Sequence, residues 1–175
     1  GFGGSCFPKD VKALVAHGEN SGVPMQLLRS VIDVNLRQPQ KMIEMVERAG
    51  ALDGMAVAVL GVAFKPGTDD IRESPSLPVI EALARRGAKV TAFDPIARRE
   101  AEHVLGAAVT FKDTLVDAIR DARAIMVMTA WPEFKDLPGL LAETRRSGGS
   151  DAPLVIDGRR MLDKRSVANY AGIGL

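Results

Sequence analysis

The 175-residue chain has a single cysteine, two histidines, one tryptophan and one tyrosine. One thiol cannot close an internal disulfide, so the sequence carries no framework of the kind built in oxidising compartments. His17 and His103 stand far apart without acidic or thiol company at metal-ligand spacing, and no metal site is expected. An excess of one charge is missing as well: 23 basic residues against 22 acidic ones give a formal net charge of +1. The two signs are interspersed, which leaves no electrostatic footprint for nucleic acid or an anionic membrane surface. No apolar run approaches the roughly 20 residues that span a bilayer, and the first residues do not read as a secretory leader. These absences predict a cytoplasmic protein with neither nucleic acid nor membrane as a partner.

What is present is 46% hydrophobic and 26% charged residues, an ordinary globular mixture, in a length that suits one full domain with an added element. Residues 1–53 hold a glycine-rich opening and two helical patterns. Val11, Leu14 and Val15 recur at helical spacing, with Gly18 as a stop. Between 24 and 49, Leu27, Leu28, Val31, Val34, Asn35, Ile43, Val46 and Ala49 suggest a long amphipathic helix. Pro39 is predicted to kink or break it. Gly50 ends it, and Asp53-Gly54 signals a turn.

Residues 54–175 alternate. The continuous apolar run at 56–62 reads as a buried strand, and 89–93, 107–111, 124–128 and 154–156 read as further strands. Helical spacing separates them at 76–86, at 98–105 and at 114–119, the last with Asp113 as a cap. Residues 134–143 read as helical or irregular, and 147–151 as a polar loop. The expectation is an α/β chain: a long central helix followed by a Rossmann-like, doubly wound parallel-sheet domain. In that architecture ligands sit at the C-terminal strand ends, which places 61–76, 94–95, 129–131 and 157–160 at the cleft.

Several residues there carry two readings. The stretch 61–76, GVAFKPGTDDIRESPS, occupies the nucleotide-loop position without being G-x-G-x-x-G. Lys65 and Arg72 are cations able to neutralise phosphate. Ser74 and Ser76 flank Pro75 at a helix start, where free N–H groups favour anions. The same residues also fit a solvated loop with ordinary capping. Asp94 suits a ribose diol or an Asp-Pro turn. Of Arg159 and Arg160, one is expected to reach the cleft and the other the surface. In the opening GFGGSCFPKD, Gly3 and Gly4 permit close backbone approach. Lys9 there favours a thiolate at Cys6, and Asp10 can act as a base or orient water. A lone cysteine is also a common small buried hydrophobe. So dense a motif at residue one, with no Met before it, reads as the interior of a longer chain.

Gly1 to Asp10 resembles the catalytic-cysteine motif of the nucleotide-sugar 6-dehydrogenases, the family of the UDP-glucose and GDP-mannose enzymes. Residues 61–76 resemble its sugar-nucleotide loop, Val34-Asn35 with Gln40-Lys41 its central helix, and Asp157-Gly158-Arg159 its C-terminal arginine motif. The motifs come in the family's order across nearly the whole chain. The resemblance implies an NAD-dependent, two-step oxidation of a sugar C6 alcohol to a carboxylate. It implies Cys6 as the nucleophile that forms a thiohemiacetal and then a thioester, with Asp10 serving the hydrolytic water. Phe2, Gly3, Phe64, Lys65 and Arg159 would bind substrate, and Lys9 and Arg72 the cofactor. The cofactor implied is NAD. The substrate implied is a UDP-sugar, most like UDP-glucose, with a UDP-N-acetylhexosamine or GDP-mannose as alternatives. Residues 1–53 would hold the catalytic loop and a homodimerisation helix, and 54–175 the UDP-sugar domain. The family's N-terminal NAD domain has no counterpart in these residues, which alone are therefore expected to be inactive.

Overall fold

A computed structural model describes residues 1–146 and 152–174; the polar loop expected at 147–151 lies outside the described residues. Two helices come first, α1 (Phe7–Asn20) and α2 (Gln26–Glu47). The remainder alternates as β1 (Ala56–Leu60), α3 (Ser76–Arg85), β2 (Lys89–Phe93), α4 (Arg98–Leu105), β3 (Thr110–Phe111), α5 (Leu115–Ile119), β4 (Ala124–Val127), α6 (Leu137–Arg146), β5 (Leu154–Asp157) and β6 (Tyr170–Gly172). The strands form one sheet of order β3-β2-β1-β4-β5-β6, with every pairing parallel. The expected α/β class and doubly wound sheet are therefore present.

The central strands explain their own sequences. β4 is covered on both faces, and all four of its residues are fully buried, which is why Ala124-Ile125-Met126-Val127 shows no polar alternation. Strand order reverses between β1 and β4, whose ends pair as Leu60 with Val127. This switch point opens a crevice at the C-terminal ends of the strands.

Four local expectations need correction. Pro39 does not break α2, which runs unbroken through it. Met42, Ile43 and Val46 beyond the proline are almost completely buried in the same core as the sheet, and this packing outweighs the lost backbone bond. α1 begins at Phe7 rather than Val11, with Pro8 in its first turn, where a missing N–H costs nothing. It also passes Gly18, where a Cβ would meet the Val23 carbonyl at 2.7 Å; this glycine makes room for a neighbour and is not a stop. Thr114, not Asp113, caps α5 by accepting from the Asp117 N–H at 3.1 Å. β6 escaped the sequence reading altogether.

Candidate active site

The base of the site is a set of locks at the ends of β1, β2 and β4. Gly61 has φ +90°, and a Cβ on it would collide with Thr129, so only glycine lets the β1 and β4 ends approach this closely. The Thr129 hydroxyl donates to the Ala63 carbonyl at 2.6 Å, and the Ser76 hydroxyl to the Gly61 carbonyl at 3.0 Å. Asp94, only 4% exposed, holds the turn from its other side. Its Oδ2 accepts from Val62 N–H (2.7 Å), Ala63 N–H (3.0 Å) and the Trp131 indole (3.1 Å). Its Oδ1 accepts from Ile96 N–H (3.0 Å) and Ala97 N–H (2.8 Å). Both oxygens are occupied by protein donors. Of the two sequence readings of Asp94, the geometry supports the turn and leaves no oxygen for a ribose.

Above this base the 61–76 loop folds over itself. Phe64 is half-buried and Lys65 exposed, the ammonium lying 5.3 Å from the Phe64 ring centroid, a cation–π distance. Arg72 grips Asp70 with two side-chain N–H groups, at 2.9 and 2.8 Å. The Arg72 guanidinium is the main reason the Asp70 carboxyl titrates at about 2, with the Ser5 hydroxyl adding a smaller share. Burial of Asp70 opposes this.

The N-terminal motif docks on this loop, some 60 residues away in sequence. Gly4 N–H donates to the Arg72 carbonyl at 3.0 Å. Gly4 has φ +94°, and a Cβ there would stand 2.7 Å from the Phe64 ring; one on Gly3 would collide with the Glu73 carbonyl. Gly3 and Gly4 are thus both required by close approach. Glu73 and Arg160 are the two described non-glycine residues with positive φ, at +52° and +53°. Strain of this kind gathers at functional sites. The Glu73 carboxylate accepts from Lys12 of α1 at 3.0 and 3.1 Å.

Cys6 is exposed and sits at the N-terminal cap position of α1, at the positive end of that helix's dipole. Its sulfur lies 3.7 Å from the Ser5 hydroxyl. Lys9 donates to Asp10 at 2.6 Å. Lys9 and Arg72 are both held above their ordinary pKa, first by hydrogen bonds to Asp10 and Asp70 and, more weakly, by the charge of Cys6. The two cations therefore lie within electrostatic reach of the sulfur.

Arg159 comes from the end of β5. Its Nε donates to the Met128 carbonyl and its N–H to buried Asp157 at 2.9 Å. Burial pushes its guanidinium below the ordinary range, whereas Arg160 is exposed, the divided pair that the sequence suggested. Arg159 shares a cleft with Gly1, Pro39, Met42, Pro75 and Met128, so the end of β5 and the opening segment face a common space. Phe2 lies on the α2 side, its ring edge-on to Phe7 with centroids 4.8 Å apart. The sequence assigned no role to Lys12 or Glu73, whose ion pair joins residues 61 apart, and it singled out Asn35 and Asp157 only through the family motifs in which they stand.

Comparison with known proteins places this geometry. The model of the UDP-glucose/GDP-mannose dehydrogenase family, UDP binding domain, matches residues 58–164, and that of the family's central domain matches residues 1–37. The chain belongs to the UDP-glucose/GDP-mannose dehydrogenase family. It is 41% identical over 179 residues to the UDP-glucose 6-dehydrogenase YwqF of Bacillus subtilis, covering 99% of this chain and 40% of that one. It is 40% identical over 185 residues to the UDP-glucose 6-dehydrogenase of Pseudomonas aeruginosa, again covering 99% and 40%. The structure of a UDP-glucose dehydrogenase from Pyrobaculum islandicum superposes with a TM-score of 0.85 at 37% identity, over 98% of this chain and 38% of that one. The chain thus spans about 40% of the length of the curated relatives it matches.

Proposed function

We propose that the chain supplies the catalytic cysteine and the sugar-nucleotide site of an NAD-dependent UDP-glucose 6-dehydrogenase. The observation that carries this reading is the docking of the Cys6 segment onto the 61–76 loop at the sheet's switch point, through Gly4 and Arg72. Ligands of open α/β sheets bind at this place. The relatives named as UDP-glucose 6-dehydrogenases support UDP-glucose as the sugar nucleotide.

In the proposed reaction, Phe64, Lys65 and Arg159 hold the nucleotide sugar, and Phe2 and Gly3 line its sugar end. Lys9 and Arg72, exposed cations beside Cys6, fit a dinucleotide pyrophosphate. NAD would supply the acceptor for the two hydrides that C6 loses, the first leaving as the C6 hydroxyl gives up its proton to solvent and becomes the aldehyde carbonyl. Between them, the Cys6 sulfur adds to the C6 aldehyde while the carbonyl oxygen takes up a proton, giving a thiohemiacetal. Loss of the second hydride and of that hydroxyl proton leaves a thioester on Cys6. Asp10 takes a proton from water as the water adds to the thioester carbonyl. The C–S bond then breaks, the thiolate departs and the carboxylate is released. Splitting the second oxidation from hydrolysis in this way replaces one difficult step with two easier ones.

The exposed apolar stripe of Leu27, Val31 and Val34 on α2 supports self-association into a homodimer through that helix. Among the described residues no helix is long and apolar enough to cross a membrane. The single free thiol suits a reducing, cytoplasmic setting. Calorimetric titration with UDP and with GDP tests the sugar-nucleotide assignment: heat from UDP alone is expected, and a preference for GDP would overturn it.

A further inference from the structure

We infer that Asn35 is a positioning residue for Cys6, holding the segment before the thiol in register through a paired hydrogen bond to the backbone of Phe2. The inference rests on the dehydrogenase reading for its catalytic consequence but on geometry for its substance. The Asn35 Oδ1 accepts from Phe2 N–H at 2.7 Å, and its Nδ2 donates to the Phe2 carbonyl at 3.0 Å. The carboxamide thus copies the two-bond exchange of one residue pair in a β-ladder. Its orientation is fixed by the partners, because Phe2 N–H can only donate and Phe2 C=O can only accept.

Asparagine is a poor resident of a helix interior, since its side chain competes for backbone groups. Here the competition is directed 33 residues away, off the helix and onto another segment. Asn35 is seven residues before Met42 and eleven before Val46, and so lies on the helix face that these two bury in the core. The anchor therefore stands on a rigid element fixed to the sheet domain.

The anchored segment needs it. Between Phe2 and Cys6 the chain is Gly3-Gly4-Ser5, and two adjacent glycines give it little stiffness of its own. Two tethers set its course: Asn35 on Phe2, and the Arg72 carbonyl on Gly4. With Asn35 gone, the backbone of Phe2 would lose both of these hydrogen bonds, leaving the Gly4 bond and the Ser5 hydroxyl on Asp70 to hold the chain ahead of the thiol. Small displacements of reacting groups are enough to cost turnover heavily.

The test uses Asn35→Ala and Asn35→Asp in the full-length dehydrogenase that carries this chain. Loss of both hydrogen bonds in Asn35→Ala should speed amide exchange in residues 2–6 roughly tenfold or more. It should also lower kcat for UDP-glucose about 10- to 100-fold, with a thermal midpoint close to that of the parent. Asn35→Asp supplies a signature that a merely structural residue would lack. Protonated, its carboxyl can accept from Phe2 N–H and donate to Phe2 C=O; ionised, it can only accept. Its kcat relative to the parent should therefore recover as pH falls towards the carboxyl range, while that of Asn35→Ala stays low throughout. If Asn35→Ala does not fold, the Asn35→Asp profile decides. An active parent whose alanine variant keeps its kcat and its amide exchange overturns the inference. A parent without UDP-glucose turnover overturns the dehydrogenase reading instead, and the exchange measurement still decides whether Asn35 positions the loop.

Discussion

Replacing Asp94 with asparagine removes little volume and one charge, yet the structure predicts a large effect. The wild-type carboxylate serves five donors, three on Oδ2 and two on Oδ1. An asparagine keeps a single acceptor oxygen. The least costly orientation points that oxygen at Val62 N–H, Ala63 N–H and the Trp131 indole, which leaves the new NH2 group facing Ile96 N–H and Ala97 N–H. Two donors then lose their acceptor, Ala97 in a fully buried residue. Each such loss costs about 1–3 kcal/mol, so Asp94→Asn should destabilise the chain by about 2–6 kcal/mol. That is a large fraction of the roughly 5–15 kcal/mol that typically separates folded from unfolded states. Urea denaturation followed by circular dichroism reads it directly, with an unchanged slope and a lowered midpoint. The site should suffer too, because Asp94 fixes the turn from which the 61–76 loop departs. A shift below about 0.5 kcal/mol, the range of ordinary surface changes, would refute the claim that this carboxylate is a structural hub.

Two further outcomes follow from the site. The folded Asp70 carboxyl titrates at about 2, below its ordinary 3.8; a depressed value means stability present above about pH 4 and lost as pH falls towards 2. Thermal midpoints measured across that window should fall for the parent and fall less for Asp70→Asn, and equal slopes would count against the Arg72–Asp70 grip. Gly4→Ala forces a Cβ against the Phe64 ring at φ +94°, whereas Gly22→Ala at φ +73° meets nothing within 4 Å. The first should lower kcat/KM for UDP-glucose at least about tenfold and the second should leave it nearly unchanged; similar kinetics for the two variants would contradict the packing of Gly4 on Phe64.

The parts of this molecule that could be read in its sequence are those governed by local pattern. β1, β4 and β5 declare themselves because strands buried on both faces need continuous apolar runs, and β2 shows itself as Val90, Ala92 and Phe93 ended by Asp94-Pro95. β6 does not, since Tyr170-Ala171-Gly172 is too short to show any period. Cys6 was legible as a candidate, but its place at the head of a helix was not. Asp94 shows the limit most clearly. A single letter before a proline is compatible with a ligand or a turn, and the sequence does not show that Oδ2 is taken by donors more than 30 residues away while Ile96 and Ala97 hold Oδ1. Glu73 was hidden for the same reason, since its partner Lys12 is 61 residues distant, and Asn35 stood out as part of a helix motif without showing its partner Phe2, 33 residues away.

The central claim is that Cys6 carries the sugar between its two oxidations. It is tested most directly by incubating the full-length enzyme with UDP-glucose and NAD and comparing the parent with Cys6→Ala. The parent should yield UDP-glucuronate with two equivalents of NADH for each sugar oxidised, and mass spectrometry of the quenched reaction should find a covalent sugar-nucleotide adduct on the peptide containing Cys6. The Cys6→Ala enzyme should form no UDP-glucuronate and no adduct. UDP-glucuronate made by Cys6→Ala at the parent's rate would contradict the account.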